Sequence, residues 1–275
     1  MVIDETELKG EVKKYWNRQS CGTRVTSQEK FSRQYFDEVE DYRYRVEPDI
    51  FAFAQFTRYR GQKVLEVGVG AGTDFLQWVR AGAKAYGIDL TEEGIEHVRR
   101  RLAVYGLAAE EVRVADAENL PYEDEFFDLI YSYGVIHHSP NTLRALEEIV
   151  RCTKVGGTMK IMVYNKQSCA AFFQYLRHGL LKGKPFRSIA DIMYEHQESP
   201  GTKVYSIGEM RKILARYPVE IRNIGAKVSN YDLLWRSPKG RRILARMLVR
   251  IVGYENSGWF LTMELKKTGP FARPA

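Results

Sequence analysis

The 275-residue chain is poor in cysteine and has no long apolar run. Its three cysteines, Cys21, Cys152 and Cys169, are widely spaced and form no C-x-x-C pair, which argues against a disulfide framework or a zinc site. No apolar stretch approaches the length of roughly 20 residues that a membrane-spanning helix needs. The N-terminus is acidic and lacks the apolar core of a signal peptide, so we expect a cytoplasmic protein.

Motifs of several other chemistries are also missing from the sequence. It contains no P-loop, no nucleophile elbow and no cluster of residues with metal-ligand spacing, so we expect no bound metal. An apolar content of 44% and a charged content of 28% are ordinary for a globular protein. The length allows one α/β domain with substantial additions.

Positive charge is concentrated in one segment. The net charge is +7, and residues 236–252 contain six Lys and Arg residues with no acid, so the rest of the chain has a net charge of +1. We favour a helix whose apolar side faces the core and whose basic side faces solvent. The alternatives are that residues 239–252 contact anionic lipid or nucleic acid. The basic residues are Arg236, Lys239, Arg241, Arg242, Arg246 and Arg250. The apolar residues at helical spacing are Ile243, Leu244, Met247, Leu248, Ile251 and Val252.

A glycine-rich turn after an apolar strand is the most informative feature of the sequence. Residues 64–73 read V-L-E-V-G-V-G-A-G-T, and a helical pattern follows. Asp89 ends the next predicted strand 21 residues after Gly68, which is the spacing of a nucleotide-binding βαβ unit. A dinucleotide fingerprint needs a third glycine at position 73, where this chain has Thr73. The motif is E-x-G-x-G-x-G instead.

Further strand patterns end in residues that can contact a ligand. Residues 112–118 predict a third strand that ends in acids, and residues 126–132 predict a fourth that leads into a loop at 133–138. A K-V-G-G turn at 154–157 precedes a fifth predicted strand at 158–163. Because the carboxyl ends of parallel strands meet at one edge of a sheet, we expect these segments to share one pocket.

As a set, these segments resemble class I S-adenosylmethionine-dependent methyltransferases over roughly residues 60–165. The glycine turn resembles motif I of that family, and the loop at 133–138 resembles the family's loop beside the methyl group. The turn at 154–157 resembles the family's K-P-G-G turn, with Val155 in place of proline. The set is most like the methyltransferase type 11 group, which is similar to the ubiquinone and menaquinone methyltransferases.

The resemblance implies S-adenosyl-L-methionine as cofactor and S-adenosyl-L-homocysteine as product. In the family, the acid at Asp89 holds the ribose hydroxyls, and the acid at Asp116 takes the adenine amino group. The glycine turn holds the methionine part, where Tyr133 contributes backbone. The implied cofactor-binding residues are Glu66, Gly68, Val69, Gly70, Gly72, Thr73, Asp89, Leu90, Asp116, Ala117, Glu118, Ser132, Tyr133, Gly134 and Trp16.

Three residues are candidates for proton transfer. His137 and His138 follow the fourth strand, and a histidine suits a general base near neutral pH; we favour His137 of the two. The alternative is that one packs on the cofactor and the other is a polar loop residue. Tyr164 follows the fifth strand and is a candidate or an ordinary strand-end residue. Glu195, His196 and Tyr205 are secondary candidates.

The chain divides into three predicted parts around one sheet. Residues 1–60 form an N-terminal helical cap, 61–167 the cofactor-binding core, and 168–275 the rest of the same domain, with helical insertions at 168–205 and 229–252. The fold class is α/β, a Rossmann-like, seven-stranded and mostly parallel sheet with helices on both faces. The resemblance implies the strand order 3-2-1-4-5-7-6. The aromatic residues Tyr15, Trp16, Tyr35 and Tyr44 of the cap form either a lid or, as we favour, an aromatic core.

We therefore predict a methyltransferase that acts on a small, amphipathic molecule at oxygen, nitrogen or carbon by in-line methyl transfer. The sequence Ser132-Tyr133-Gly134-Val135 lacks the paired prolines of enzymes that methylate nucleobase amines, so a nucleic-acid partner is not expected. A non-catalytic module that binds the cofactor or docks on a membrane remains open. A nicotinamide oxidoreductase shares the βαβ unit but is disfavoured by the residue at position 73.

Overall fold

The computed structural model describes residues 4–18, 20, 22–234, 238–253 and 257–271; Cys21 and Arg236 lie outside them. The helices are α1 (Glu5–Arg18), α2 (Arg33–Val46), α3 (Ile50–Ala54), α4 (Thr73–Arg80), α5 (Glu92–Tyr105), α6 (Thr142–Cys152), α7 (Cys169–His178), α8 (Ile189–His196), α9 (Ile207–Leu214) and α10 (Lys239–Val252). The strands are β1 (Lys63–Val67), β2 (Lys84–Asp89), β3 (Glu111–Val114), β4 (Phe127–Tyr133), β5 (Thr153–Tyr164), β6 (Val219–Lys227) and β7 (Phe260–Lys267). Short 3₁₀ turns cover Phe56–Tyr59 and Leu180–Lys182.

The seven strands form one sheet in the order β3-β2-β1-β4-β5-β7-β6, which confirms the predicted order. Strands β1 to β5 run parallel, and β7 is antiparallel to both of its neighbours. After β3 the chain crosses to the other half of the sheet and forms β4 beside β1, so the switch point lies between these two strands. A crevice opens outside the carboxyl ends of the strands at such a switch point.

Helices cover both faces of the sheet because successive strand residues point to opposite faces. Val64 and Leu129 pack with side chains of α3, α4 and α5, whereas Leu65 and Ile130 pack with side chains of α6 and α9. Both sets of side chains are fully buried, as a parallel sheet between two helical layers requires.

Several helices begin at residues whose side chains cap the first turn. The Thr91 side chain accepts a hydrogen bond from Gly94 N, and the Asn141 side chain accepts one from Arg144 N. Ser206 and Glu209 form a capping box at the start of α9. Each cap satisfies backbone N–H groups that the first turn of a helix leaves without partners.

The chain departs from the predicted element bounds in three main places. The fifth strand begins at Thr153, so the segment 154–157 predicted as a turn lies within it. The third strand ends at Val114, not at residue 118, because the Asp116 carboxylate accepts a hydrogen bond from Glu118 N (2.9 Å) and bends the chain into a turn. The helix predicted over 168–182 ends at His178, where Gly179 closes it and the 3₁₀ turn Leu180–Lys182 follows. The three-part division of the chain stays a prediction.

The basic helix α10 occupies its predicted position, but the favoured core-facing orientation is wrong. Ala245 and Val249 are fully buried, whereas the apolar residues Ile243, Leu244, Met247 and Ile251 are exposed. The side of the helix with Ala245 and Val249 therefore packs on the protein, whereas the side with the larger apolar residues does not. The side chains of Arg241, Leu248 and Val252 lie outside those described. Among the described residues, no helix combines the length and apolar character needed to cross a bilayer.

Candidate functional site

A large cavity opens at the carboxyl ends of β1, β2 and β4, next to the switch point of the sheet. Its empty volume is about 1510 Å³, including the part open to solvent. The loops after these strands form its floor, and α1, α2, the segment after α8 and the start of β7 complete its walls. Most of the predicted site residues line it: Trp16, Glu66, Gly68, Val69, Gly70, Thr73, Asp89, Leu90, Asp116, Ala117, Tyr133, Gly134, His138 and Tyr164.

The three glycines of the turn after β1 have a positive φ, and at Gly68 and Gly72 an added Cβ would also overlap a neighbouring side chain. Gly68 has φ +82°, and a Cβ at this position would lie 2.3–2.9 Å from side-chain atoms of Val135. Gly70 has φ +50° and open space around it. The N–H groups of Gly68 and Val69 donate to Ile88 O at 2.8 and 3.1 Å, which ties the turn to the end of β2. The backbone of the turn therefore borders the cavity directly.

Asp89 closes β2 and lies against this turn. Its Oδ2 accepts a hydrogen bond from Gly70 N (2.9 Å), and its Oδ1 accepts from Thr91 N (2.9 Å) and Thr91 Oγ1 (2.7 Å). Gly94 leaves room for the carboxylate, because a Cβ there would lie 2.8–3.1 Å from its atoms. Burial raises the pKa of Asp89, and these hydrogen bonds oppose that rise. The carboxylate is thus held in one orientation at the cavity wall.

Lys9 of α1 reaches the carboxylates after β3. Its Nζ lies 2.7 Å from Asp116 Oδ2 and 2.5 Å from Glu118 Oε2. Partial burial lowers the pKa of Lys9, but the two carboxylates raise it by more, so the net shift of the pKa is upward. Glu118 also accepts hydrogen bonds from Ser139 Oγ and from Asn141 N (2.7 Å). Glu118 does not line the cavity; it connects α1 to the loop after β4.

A buried cluster of charges lies beneath the glycine turn. The Arg43 guanidinium donates to Asp74 Oδ2 (2.8 Å) and to Glu47 Oε1 (3.3 Å), and the Tyr131 hydroxyl donates to the same Asp74 oxygen (3.1 Å). Glu66 is buried beside them, and its Oε2 has no hydrogen-bond partner among the described residues. Burial, and then the charge of Asp74, raise the pKa of Glu66 well above its ordinary value.

The opposite side of the cavity holds a carboxylate among aromatic rings. Glu198 Oε2 accepts a hydrogen bond from the Tyr164 hydroxyl (2.8 Å) and lies 3.4 Å from His138 Nε2. His138 Nδ1 lies 2.9 Å from both Ser199 Oγ and Thr202 Oγ1. Burial raises the pKa of Glu198, but His138 and Tyr164 lower it more, so the net shift is downward. Glu198 has φ +52°, a strained backbone conformation that recurs at functional sites.

Stacked aromatic rings surround this carboxylate. Tyr164 stacks on Trp259 with ring centroids 4.2 Å apart, and Tyr133 meets Phe260 edge to face at 5.9 Å. Trp16 packs against His138 at 5.2 Å. We call this part of the cavity the aromatic end; it comprises Tyr133, Tyr164, Trp259, Phe260, His138 and Glu198. The acidic end comprises Glu66, Asp74, Asp89 and Asp116.

The cavity has the opposite charge from the chain as a whole. Six carboxylates line it, from Glu47, Glu66, Asp74, Asp89, Asp116 and Glu198. Two basic residues line it, Lys9 and Arg43, and both are already paired with carboxylates. A cavity with this balance favours a ligand with positive charge and disfavours a pyrophosphate, even though the chain has a net charge of +7.

Several predicted residues lie elsewhere than the cavity wall. His137 is fully buried, does not line the cavity, and has no hydrogen-bond partner for either ring nitrogen among the described residues. Burial, and then His138, lower the pKa of His137 well below its ordinary value. Gly72 and Ser132 are also absent from the wall. Of the four aromatic residues of the cap, Trp16 lines the cavity, whereas Tyr35 is buried and contacts His97 (3.1 Å).

Sequence reasoning missed five charged residues that line the cavity, Lys9, Arg43, Glu47, Asp74 and Glu198. Lys9 and Arg43 lie in helices of the cap, and Glu47 directly follows α2. Glu198 is next to the secondary candidates Glu195 and His196, which point elsewhere: Glu195 pairs with Arg187 (2.6 Å) and His196 stacks on His178. No short motif surrounds Lys9, Arg43, Glu47 or Glu198, so the only available signal was their position in the additions to the core.

Comparison with known proteins identifies the central segment. Residues 65–161 match the family model described as a methyltransferase domain. A phthiotriol/phenolphthiotriol dimycocerosates methyltransferase from Mycobacterium ulcerans (strain Agy99) is 41% identical over 99 residues, which are 35% of this chain and 35% of the relative. The match thus spans about a third of the length of the curated relatives.

Two solved structures share the fold across nearly the whole chain. Geranyl diphosphate C-methyltransferase from Streptomyces coelicolor A3(2) has a TM-score of 0.61 at 15% identity, covering 94% of this chain and 98% of its own. The [4+2]-cyclase SpnF has a TM-score of 0.56 at 14% identity, covering 96% and 97%. At these identities the likeness concerns the fold alone. The architecture is that of the class I, Rossmann-like methyltransferases. Within it, residues 65–161 form a methyltransferase domain of the type 11 group.

Proposed function

We propose that this chain is an S-adenosylmethionine-dependent methyltransferase that acts on a small, amphipathic molecule. The observation that carries the proposal is the acidic end of the cavity, built on a glycine turn in an otherwise basic chain. S-adenosylmethionine has a sulfonium and an ammonium group against one carboxylate, so its net charge is positive. A nicotinamide dinucleotide has a pyrophosphate, which six carboxylates would repel.

The residues of the acidic end fit such a cofactor. Glu66 has a buried oxygen without a partner among the described residues, which suits it to accept a hydrogen bond from the cofactor's ammonium group. Asp89 is oriented to receive the ribose hydroxyls, Asp116 and Ala117 the adenine ring, and the Gly68–Gly72 turn the methionine part. Arg43 is partly buried and charged in the same region and balances the carboxylates. When bound, the cofactor supplies the electrophilic methyl group and a thioether leaving group.

At the aromatic end, we assign proton transfer to Glu198 with His138 and Tyr164. His138 and Tyr164 lower the pKa of Glu198, so its carboxylate is ionised near neutral pH and Oε2 can accept a hydrogen bond from the acceptor. In this proposal the proton passes to Oε2 as the acceptor takes the methyl group. The Tyr164 hydroxyl donates to that oxygen, and His138 Nε2 lies 3.4 Å from it. His137, which the sequence favoured, has the wrong location for this role, because it does not line the cavity. It supports the ring of Tyr164, at a centroid distance of 4.0 Å.

The aromatic end also indicates the class of acceptor. Stacked Tyr164 and Trp259, with Phe260, offer flat apolar contact surface, whereas Glu198 offers a single charge. This combination suits a molecule with an apolar body and one polar group that loses or shares a proton. The names of the mycobacterial relative and of the geranyl diphosphate enzyme refer to lipid-like acceptors, which agrees with an apolar acceptor here. Methylation at oxygen, nitrogen or carbon is compatible with this end of the cavity.

A second candidate is a chain that uses the same fold without transferring a methyl group. The likeness to a [4+2]-cyclase favours keeping this candidate, because a fold does not determine a reaction. It predicts binding of the cofactor with no transfer to any acceptor. The nicotinamide oxidoreductase predicts binding of NADH instead.

The deciding experiment is thermal unfolding with S-adenosylhomocysteine and, separately, with NADH. A ligand at 100 times its dissociation constant adds about 2.7 kcal/mol to the free energy of unfolding, which raises the melting point by several degrees. We expect a shift with S-adenosylhomocysteine alone; a shift with NADH alone would overturn the proposal. A transfer assay with methyl-labelled cofactor and lipid extracts follows. Binding without transfer to any extract would favour the non-catalytic candidate.

A further inference from the structure

We propose that α10 and the segment after α7 form one surface that docks on an anionic lipid bilayer. The surface comprises the exposed residues of α10 together with residues 180–186. The docking is independent of the proposed function. The further idea that the bilayer supplies the methyl acceptor rests on the proposed function.

Large apolar side chains are unusually exposed on this surface. Phe186 is 100% exposed, and Leu181 and Ile251 are each 79% exposed. Leu180, Ile243, Leu244 and Met247 are also exposed. Scattered exposed apolar residues are normal, but a contiguous set marks an interaction site. Both parts of this set border one helix, because α7 contacts α10 and the 3₁₀ turn Leu180–Lys182.

Helical geometry places the exposed apolar residues of α10 on the side away from the protein. Ile243, Met247 and Ile251 are four residues apart, so they align in one stripe. At about 100° per residue this stripe lies opposite the buried Ala245 and Val249. Arg242, Arg246 and Arg250 form a second stripe along its flank and are exposed as well. The helix thus presents an apolar ridge with a cationic border.

The charges on both segments have one sign. Residues 149–190 contain no acid, and neither do residues 233–254. Arg177, Lys182 and Lys184 are exposed beside the apolar residues of the first segment. On the C-terminal side of the first segment, the nearest acids are Asp191 and Glu195 on α8, and Glu195 is paired with Arg187. In the sequence, the nearest acids to α10 are Asp232, which is buried, and Glu255. Apolar insertion together with cationic attraction is the pair of signals that gives stable binding to anionic lipid.

An anionic bilayer fits these observations better than a nucleic acid or a second copy of the chain. A phosphate backbone would use the cations but would leave Phe186, Leu181 and Ile251 in water. A second copy would bring the same cations against one another. A bilayer with anionic head groups satisfies both the cations and the apolar side chains.

The surface is continuous in the chain with the aromatic end of the cavity. Gln197 and Glu198 directly follow α8 and line the cavity. Tyr231 precedes α10, Trp259 and Phe260 follow it, and all three line the cavity. Tyr231 and Phe260 pack with ring centroids 5.8 Å apart. Docking through this surface would therefore bring the aromatic end towards the bilayer, where an amphipathic acceptor resides.

Vesicle sedimentation with the full chain tests the proposal. Two vesicle types are used, pure phosphatidylcholine and a mixture of phosphatidylcholine with phosphatidylglycerol, at low and at high salt. We expect binding to the anionic vesicles at low salt and loss of binding at about 1 M salt, where the screening length falls to about 3 Å. Equal binding to both vesicle types, or to neither, would overturn the proposal.

Two sets of variants separate the apolar from the cationic contribution. The first is Leu181→Ser with Phe186→Ser and Ile251→Ser, and we expect its vesicle affinity to fall by more than about tenfold. The second is Lys182→Gln with Lys184→Gln and Arg246→Gln. We expect a comparable loss of vesicle affinity and a weaker dependence of the remaining binding on salt. Matched controls on other parts of the surface, Val155→Ser and Arg211→Gln with Lys212→Gln, should bind like the wild type.

The remaining readouts keep docking and catalysis distinguishable. All variants should keep the full melting-point shift with S-adenosylhomocysteine, which shows an intact fold and cofactor end. If the wild type lacks that shift but binds vesicles, the proposed function fails and the docking stands. Binding of duplex DNA without vesicle binding would overturn the docking proposal in favour of a nucleic acid. Concentration-dependent dimers that only the serine variant loses would overturn it in favour of self-association.

Discussion

The acidic and aromatic ends of the cavity are built from different parts of the chain. At the acidic end, Asp89 ends β2, Asp116 follows β3 and the glycine turn follows β1, so backbone geometry fixes their places. At the aromatic end, Tyr133 and Tyr164 end β4 and β5, whereas Glu198 comes from the segment after α8 and Trp259 and Phe260 from the start of β7. We propose from this contrast that the strand ends of the core hold the cofactor, whereas the chain after β5 adds the residues that select the acceptor.

The sharpest test of that division is Glu198→Gln, for which we expect the largest effect. The amide keeps the size of the side chain but cannot accept a proton, so kcat should fall by about 100- to 10,000-fold. Affinity for S-adenosylhomocysteine should stay within about twofold, because Glu198 is not at the acidic end. Transfer of labelled methyl groups and calorimetric titration measure the two quantities. Glu195→Gln, which alters an exposed carboxylate three residues away, is the control and should leave both unchanged.

Gly68→Ala probes the acidic end through its backbone. The new Cβ would have to adopt φ +82° and overlap the Val135 side chain, so we expect a loss of about 3 kcal/mol in the free energy of unfolding. Gly61→Ala is the matched control, since Gly61 has φ +75° but nothing within 4 Å of the added carbon. It should cost only about 1 kcal/mol. Equal losses in urea unfolding would show that the close approach to Val135 is not important.

Asp89→Asn tests the role of the β2 acid in binding. Loss of the negative charge weakens two charge-assisted hydrogen bonds to a ribose, so affinity for S-adenosylhomocysteine should fall about 100-fold. Asp128→Asn is the control, because Asp128 accepts from Lys63 N (2.9 Å) at the amino-terminal ends of β1 and β4, away from the cavity. Calorimetric titration should show no change for that control. A normal affinity in Asp89→Asn would remove the β2 acid from the proposed cofactor site.

The difference between the two ends also explains what the sequence could predict. The glycine turn and the acids Asp89 and Asp116 were predicted, because short motifs and strand ends place them, whereas the strand order was implied by the family resemblance. Glu198 and Arg43 were not, since each reaches the cavity through the path of a helix or loop that no local pattern encodes. His137 and His138 are adjacent in sequence, yet only the second lines the cavity. A one-residue difference of this kind depends on the exact turn after β4, which the sequence does not specify.

The basic helix illustrates the same limit from another direction. Its bounds at residues 239 and 252 followed from periodicity, but its orientation did not. Apolar spacing favoured a core-facing helix, whereas the fold buries its small residues Ala245 and Val249 instead. Periodicity shows that a helix has an apolar side; it does not show what covers that side.

Glu66→Gln is expected to leave the stability unchanged at low pH, with an effect that grows as the pH rises. Burial raises the pKa of Glu66 above its ordinary value of 4.5, so the folded state keeps a proton that the unfolded state releases as the pH rises. The contribution of Glu66 to stability is therefore present below pH 4.5 and is lost as the pH rises through the folded-state pKa. Within that window, each pH unit costs the wild type about 1.4 kcal/mol relative to the variant.

Glutamine does not titrate, so the variant should match the wild type in urea unfolding at low pH and exceed it at pH 8. Its affinity for S-adenosylhomocysteine should nevertheless be lower at pH 8, because an amide cannot pair with the ammonium group. A residue that lowers the stability of the ligand-free protein but raises its affinity for the ligand acts in binding. A residue that only packs would, on substitution, lower both the stability and the affinity. A variant that is less stable than the wild type at pH 8 would contradict that role and would assign Glu66 to the structure of the core.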